Sequence, residues 1–297
     1  MNRPFDSSSA LAQKAFHVVT GKGGVGKSAV AVALARTLAS AGRKKVLLAS
    51  TGGDDGLSPL LGCRPLGREL RELVPGIWGV SMTGESAREE YARLVLKYET
   101  MVRLVFGNPL VRHFLDFVPG LGELNQMGKL YYHQVSGAFD HIVLDGPASG
   151  HAVTLLTAAS KVLSTVPPGP LARDTRFIAD LVSDPQRTAI HLVTLPSSMS
   201  CREAFDLGQR LGDVEGLPMG CLFANRMPES LPSSTEPSFA AGSAGVFLQM
   251  AWRQQSQAWD RVRGLSQRLD LPLVALREIS EPSEVVDQMV GVFQGGA

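Results

Sequence analysis

Cysteine is scarce in this chain of 297 residues, and Cys63, Cys201 and Cys221 are odd in number, widely spaced and without a C-x-x-C pair. That argues against a disulfide framework and against zinc-finger spacing. Net charge is nearly absent too, because 29 Lys and Arg oppose 28 Asp and Glu. A general nucleic-acid binder carries a basic excess, so bulk charge points away from that class. Charged residues make up 19% of the chain, below the roughly one in four of ordinary soluble domains. The 44% of apolar residues suits a globular protein with a large core and a generous interface. No apolar stretch is long enough to span a bilayer, so no stable membrane insertion is expected. Residues 1–14 are polar and lack an apolar core, so a signal peptide is not expected and a reducing cytoplasm is.

What the chain does have is a glycine-rich octapeptide, Gly21-Lys22-Gly23-Gly24-Val25-Gly26-Lys27-Ser28. It fits the P-loop template G-x-x-x-x-G-K-[ST] at each fixed position: Gly21, Gly26, Lys27 and Ser28. Glycines let the backbone wrap closely round a triphosphate, because no Cβ blocks left-handed φ angles or the approach of oxygen. Amides at the following helix N-terminus then face the phosphates, along with the positive end of the helix dipole. Lys27 would reach the β- and γ-phosphates, the Ser28 hydroxyl would ligate Mg²⁺, and Ala29 closes the nucleotide-binding set.

The surroundings fit. Residues 16–20 read as a buried parallel strand, and 28–40 as an apolar helix stopped by Gly42. Further strand-like runs occur at 46–50, 141–144, 161–166, 189–195, 220–224 and 271–276, with helical segments between. That alternation predicts an α/β fold: a doubly wound, mainly parallel sheet carrying the P-loop. Asp145 ends the run at 141–144, where a Walker-B-type carboxylate would sit near Mg²⁺ and its waters. The expected organisation is a flexible lead over 1–14 and a single P-loop domain over 15–297, with a helical insertion near 86–135 and a flexible loop near 226–245. Helices are expected at 252–269 and 281–293.

Lys22 narrows the class. KGGVGKS resembles the deviant-Walker-A P-loop ATPases, which include MinD, ParA, the nitrogenase iron protein and the arsenite-pump and tail-anchored-protein-targeting ATPases. In that group the extra lysine crosses a dimer interface, so the resemblance implies that Lys22 serves the nucleotide of a second subunit. With one P-loop and no internal repeat, it implies a dimer rather than a tandem two-site chain. Asp145-Gly146-Pro147-Ala148-Ser149-Gly150-His151 is similar to the D-A-P-A-T-G-H or D-T-A-P-T-G-H switch of the arsenite-pump and tail-anchored-targeting family, bacterial single-domain type. In that family the loop senses the γ-phosphate and moves on hydrolysis. Val193-Thr194-Leu195-Pro196 with Glu203 resembles the segment after this switch. Asn225-Arg226 is similar to the family's adenine-reading N-Q or N-R element, although an asparagine at a strand end is also an ordinary terminator.

One departure stands out. Where the family reads S-T-D-P-A-H-x-L-S-D, this chain reads Ser50-Thr51-Gly52-Gly53-Asp54-Asp55-Gly56-Leu57-Ser58-Pro59, so both family aspartates fall on Gly52 and Pro59. The first of them orients the attacking water, and losing such a group costs ~10²–10⁴ in rate. Asp54 or Asp55 could substitute as catalytic groups, or both could be turn acids.

Three functions follow from the resemblance. The first is an ATPase that couples nucleotide state to dimer closure, as a homodimer or as a heterodimer with a related chain, and so gates a partner or client. The second is a weakly hydrolysing or non-catalytic ATP-binding subunit that pairs with an intact paralogue. The third is a positioning ATPase like MinD or ParA, which the acidic segment 281–293 does not favour, since it lacks Lys and Arg and makes a poor membrane-targeting helix. A client helix would lie in the insertion, where Tyr91, Tyr98, Met101, Phe106 and Met127 line a groove or form core.

Overall fold

A computed structural model describes residues 11–42, 44–52, 55–82, 120–166, 168–229 and 243–295. Residues 1–10 of the expected lead, 86–119 of the insertion (with Tyr91, Tyr98, Met101 and Phe106) and 230–242 of the loop lie outside the described residues, as do Gly53 and Asp54.

Eight described strands make one sheet: β1 (Phe16–Gly21), β2 (Val46–Ser50), β3 (Arg71–Val74), β4 (Ile77–Ser81), β5 (His141–Ala148), β6 (Thr188–Thr194), β7 (Met219–Met227) and β8 (Leu273–Arg277). Their order is β3-β4-β2-β5-β1-β6-β7-β8, parallel throughout except where β3 meets β4. Residues alternate between faces along each inner strand. Phe16, Val18, Leu47, Ala49, Ile142 and Leu144 enter one core, while Val19, Val46, Leu48 and Val143 enter the other. Burial on both faces explains why these strands read as unbroken apolar runs.

One core is closed by α1 (Lys27–Ser40) and α8 (Val285–Phe293), whose Val286, Met289 and Phe293 are buried. Because α1 lies between sheet and α8, it is apolar on nearly all sides. The apolar face of α8 is thus committed to the core. The opposite core is covered by α3 (Leu121–Val135), α4 (Ser149–Leu163), α5 (Pro170–Ser183) and α6 (Ser198–Gln209). Met127 on α3 is buried there, so it belongs to the core rather than to a client groove. A short helix, α2 (Ser58–Leu61), follows β2, and the long α7 (Ser243–Leu269) precedes β8.

Several sequence expectations need correction. The run 161–166 is no strand: residues up to Leu163 finish α4, and the Ser164 and Thr165 hydroxyls cap the Lys161 carbonyl. Its four apolar or β-branched residues, Val162, Leu163, Thr165 and Val166, are too few to distinguish a helix end from a strand. The hairpin β3–β4 has no counterpart in the sequence reading, because its outer strand is polar and half-exposed; Gly76, at φ 81, makes its turn. Asp145 does not end its strand, since β5 continues to Ala148. Similarly, β7 runs through Arg226 to Met227, and α7 begins at Ser243, so both ends of the expected flexible loop are regular structure. The last helix starts at Val285, after a tight turn over Pro282–Glu284.

Candidate nucleotide site

β1 is the middle of the sheet and delivers Gly21 to the carboxyl edge, where open α/β sheets bind ligands. A Cβ on Gly21 would stand 2.3 Å from the Val193 carbonyl oxygen of β6, so only glycine passes there. The loop then exposes Gly23 and Gly24, buries Val25, and turns into α1 through Gly26, which has φ 95. Lys27 and Ser28 open α1, and Ala29 follows, half-buried, in its first turn. The octapeptide therefore does form a strand–loop–helix junction.

Two side chains cross the loop. Lys22 Nζ donates to Glu203 Oε1 at 2.8 Å and lies 2.8 Å from Oε2 as well. Lys27 Nζ donates to the Lys22 carbonyl at 3.1 Å. Burial pulls the Lys27 pKa below that of an ordinary lysine, while Asp145 opposes the shift.

Asp145 sits on β5 between β2 and β1, opposite Ser50 on one side and Val19 on the other. Its Oδ2 accepts the Ser28 hydroxyl at 2.7 Å. Its Oδ1 is buried with no hydrogen-bond partner. Burial raises its pKa, against the pull of Ser28 and Lys27. An unsatisfied buried acceptor costs about 1–3 kcal/mol. A cation held by Ser28 and Asp145 would offset that cost, so this donor set fits Mg²⁺. Among the described residues, no three His, Cys, Asp or Glu side chains form a further metal-holding group.

The switch-like segment divides between two elements. Gly146, Pro147 and Ala148 extend β5, whereas Ser149, Gly150 and His151 begin α4, with Gly150 and His151 exposed. A Cβ on Gly146 would meet the Val19 carbonyl oxygen at 2.9 Å, and Thr20 Oγ1 donates to the Pro147 carbonyl at 2.9 Å. The segment is thus tied to the strand that feeds the P-loop.

After β2, Thr51 donates from both its amide and its hydroxyl to the Asp145 carbonyl, each at 3.3 Å. Gly52 is exposed. Asp55 turns into its own loop: Oδ1 accepts the amides of Leu57 at 3.2 Å and Ser58 at 3.0 Å, and Oδ2 that of Leu66 at 2.6 Å. Burial raises the Asp55 pKa, but the hydrogen bonds from Ser58, Leu66 and Leu57 outweigh it and hold the carboxyl below its usual range. Gly56 passes directly over the P-loop serine, since a Cβ there would stand 3.1 Å from Ser28 Oγ.

Asn225 closes the far side. Its Nδ2 donates to the Val25 carbonyl at 2.9 Å, and its Oδ1 accepts the Arg226 amide at 2.9 Å. Arg226 is exposed and adopts φ 53 at a register shift in β7. The structure therefore joins residues 21–29, Asp145, the segment after it, Asp55 and Asn225 at one edge. Sequence reasoning gives Glu203 no role of its own, because no local spacing links residues 181 positions apart.

The model of a family described as anion-transporting ATPase matches residues 14–166, which hold the P-loop, Asp145 and the segment through His151. ATPase BagA of Mycobacterium tuberculosis is 31% identical over 247 residues, covering 80% of this chain and 71% of that protein. The arsenical pump-driving ATPase of Escherichia coli is 28% identical over 197 residues, covering 59% of this chain but only 33% of its own length. That of Acidiphilium multivorum is 26% identical over 218 residues, with 66% and 36% covered. A family match across more than half of the chain, joined to 31% identity along most of it, makes this protein a member of the anion-transporting ATPase family.

Proposed function

We propose that the chain binds ATP with Mg²⁺ at residues 21–29 and hydrolyses it as a dimeric switch that couples nucleotide state to a partner or client. The observation that carries this reading is the pairing of Ser28 Oγ with Asp145 Oδ2 at 2.7 Å, beside a second Asp145 oxygen that is buried and unpartnered. Relatives named as ATPases support it.

Backbone amides of the loop and of the first turn of α1 hold the phosphates, and Lys27 leaves the Lys22 carbonyl to neutralise their charge. Mg²⁺, held by Ser28 and through water by Asp145, would supply further charge neutralisation when bound. Lys22 of one subunit serves the nucleotide of the other. The segment from Gly146 to His151 reports the γ-phosphate, because Thr20 ties it to the strand that ends at the loop. Asn225 and Arg226 flank the adenine side. Phosphoryl transfer goes to water, and no nucleic acid is needed.

A specific observation favours the second reading, a weakly hydrolysing or non-catalytic subunit. The Asp55 carboxylate accepts the backbone amides of Leu57, of Ser58 at the start of α2 and of Leu66 beyond it, and the family's aspartate position is Gly52. Asp55 then acts as a structural anchor rather than as a replacement for the family's water-orienting aspartate.

The test is steady-state Mg-ATP hydrolysis across protein concentration, with Lys27→Ala as the blank. Turnover per subunit that rises with concentration supports the dimeric ATPase. ATP binding without turnover transfers the role to the non-catalytic subunit, and no binding at all defeats both.

A further inference from the structure

Lys22 is restrained at both ends. Its ammonium lies 2.8 Å from each oxygen of Glu203, and its carbonyl accepts Lys27 at 3.1 Å. Glu203 stands on a fixed support. Ser197 caps α6 by accepting the Ser200 amide at 3.2 Å, and Ser200 Oγ bonds both the Thr194 hydroxyl at 2.9 Å and the Leu195 amide at 3.0 Å. The first turn of α6 is thereby pinned to the end of β6, and Glu203 follows one turn later.

We propose that Glu203 is a positioning residue that holds Lys22 within its own subunit until a nucleotide-bound second subunit takes it. The proposal rests on the reading that Lys22 acts across a dimer. When Lys27 moves to the phosphates it releases the Lys22 carbonyl, so the ion pair to Glu203 becomes the remaining restraint. Leaving it exchanges one carboxylate for a polyphosphate of greater charge. Both side chains are about a third exposed, at 35% and 34%. Such a pair shifts an equilibrium by only about one- to five-fold. That is weak enough to be broken on assembly and large enough to set the concentration at which assembly occurs. Glu203 is therefore a brake rather than a structural anchor.

The experiment measures dimer formation by sedimentation, with Mg²⁺ and a non-hydrolysable ATP analogue, for the full chain and for Glu203→Gln, Glu203→Ala, Lys22→Ala and the Lys22→Ala/Glu203→Gln double variant. Both Glu203 variants are expected to assemble at roughly two- to five-fold lower concentration, with monomer affinity for the analogue unchanged. In the Lys22→Ala background the Glu203→Gln shift is expected to vanish. A shift that persists there, or no shift in either single variant, overturns the proposal while leaving the trans role of Lys22 intact. If Lys22→Ala assembles like the parent chain, the trans role itself fails, and the brake with it.

Discussion

The amide of Asn225 occupies the space that a side chain on Gly26 would need. A Cβ built there would lie 2.2 Å from Asn225 Nδ2, and the residue holds φ 95. Two separate restrictions thus meet at one position, one steric and one conformational. Asn225→Ala removes the first and leaves the second. Gly26→Ala is expected to weaken ATP-analogue binding at least tenfold, and adding Asn225→Ala should restore only part of it. Binding titrations of the single and double variants check this. Full restoration would mean that backbone conformation at Gly26 is of no consequence.

Asp145 presents a trade between stability and ligand binding. It is a buried carboxylate with one oxygen unsatisfied and a raised pKa. A raised pKa means that the fold disfavours the charged form, so a neutral isostere removes that cost. Asp145→Asn should therefore keep or raise the melting temperature of the free protein while losing the extra stabilisation that Mg²⁺ adds to ATP. Thermal denaturation with ATP, with and without Mg²⁺, measures both effects. An equal Mg²⁺ increment in the variant would remove Asp145 from the metal site.

Legibility divided along physical lines. Residues 16–42 could be read closely because glycine chemistry and a doubly buried strand leave few alternatives. Asp145, read from the sequence as a carboxylate after an apolar run, accepts the Ser28 hydroxyl, although its strand runs on to Ala148. The run at 161–166 misleads because Val162, Leu163, Thr165 and Val166 are too few to separate a helix end from a strand by periodicity. β3 was invisible because a polar edge strand carries no apolar signature. Long-range side-chain contacts were beyond reach: nothing local couples Glu203 to Lys22 or Asn225 to Val25.

The loop after β2 carries two acids, and the contacts of Asp55 assign it a structural part. Asp55 accepts three backbone amides and anchors α2 and residue 66. Asp55→Ala is expected to destabilise the fold by roughly 1–3 kcal/mol, as buried amides lose their acceptor. Its depressed pKa adds a sign: the stabilisation is present above the unfolded value near 4 and is lost as pH falls through the lower folded value. Asp54→Ala should spare stability and lower any turnover, whereas Asp55→Ala lowers stability first. Denaturant midpoints and hydrolysis rates, measured on both variants, distinguish the two acids.

Beneath the opposite end of the sheet, a chain of histidines fixes its own protonation. The Cys221 amide donates to His191 Nδ1 at 3.1 Å, so that nitrogen is unprotonated and Nε2 carries the hydrogen. His191 Nε2 then donates to His17 Nδ1 at 3.1 Å, and His17 Nε2 donates to the Lys14 carbonyl at 3.0 Å. His141 Nδ1 donates to the same carbonyl at 2.8 Å. A further proton on His17 or His191 would set two donors facing each other. Burial pushes the His191 pKa down to about 3. His17 is also held well below its ordinary value, by burial first and then by His191 and His141. In the unfolded chain these residues titrate near 6.5, so below that pH the unfolded state binds more protons and stability falls. At pH 5 each histidine kept neutral costs about 2 kcal/mol relative to pH 7.5. Denaturant unfolding at the two pH values should show that loss, and His191→Gln should reduce the pH dependence by about one proton. A variant with the parent's pH slope would place the acid sensitivity elsewhere.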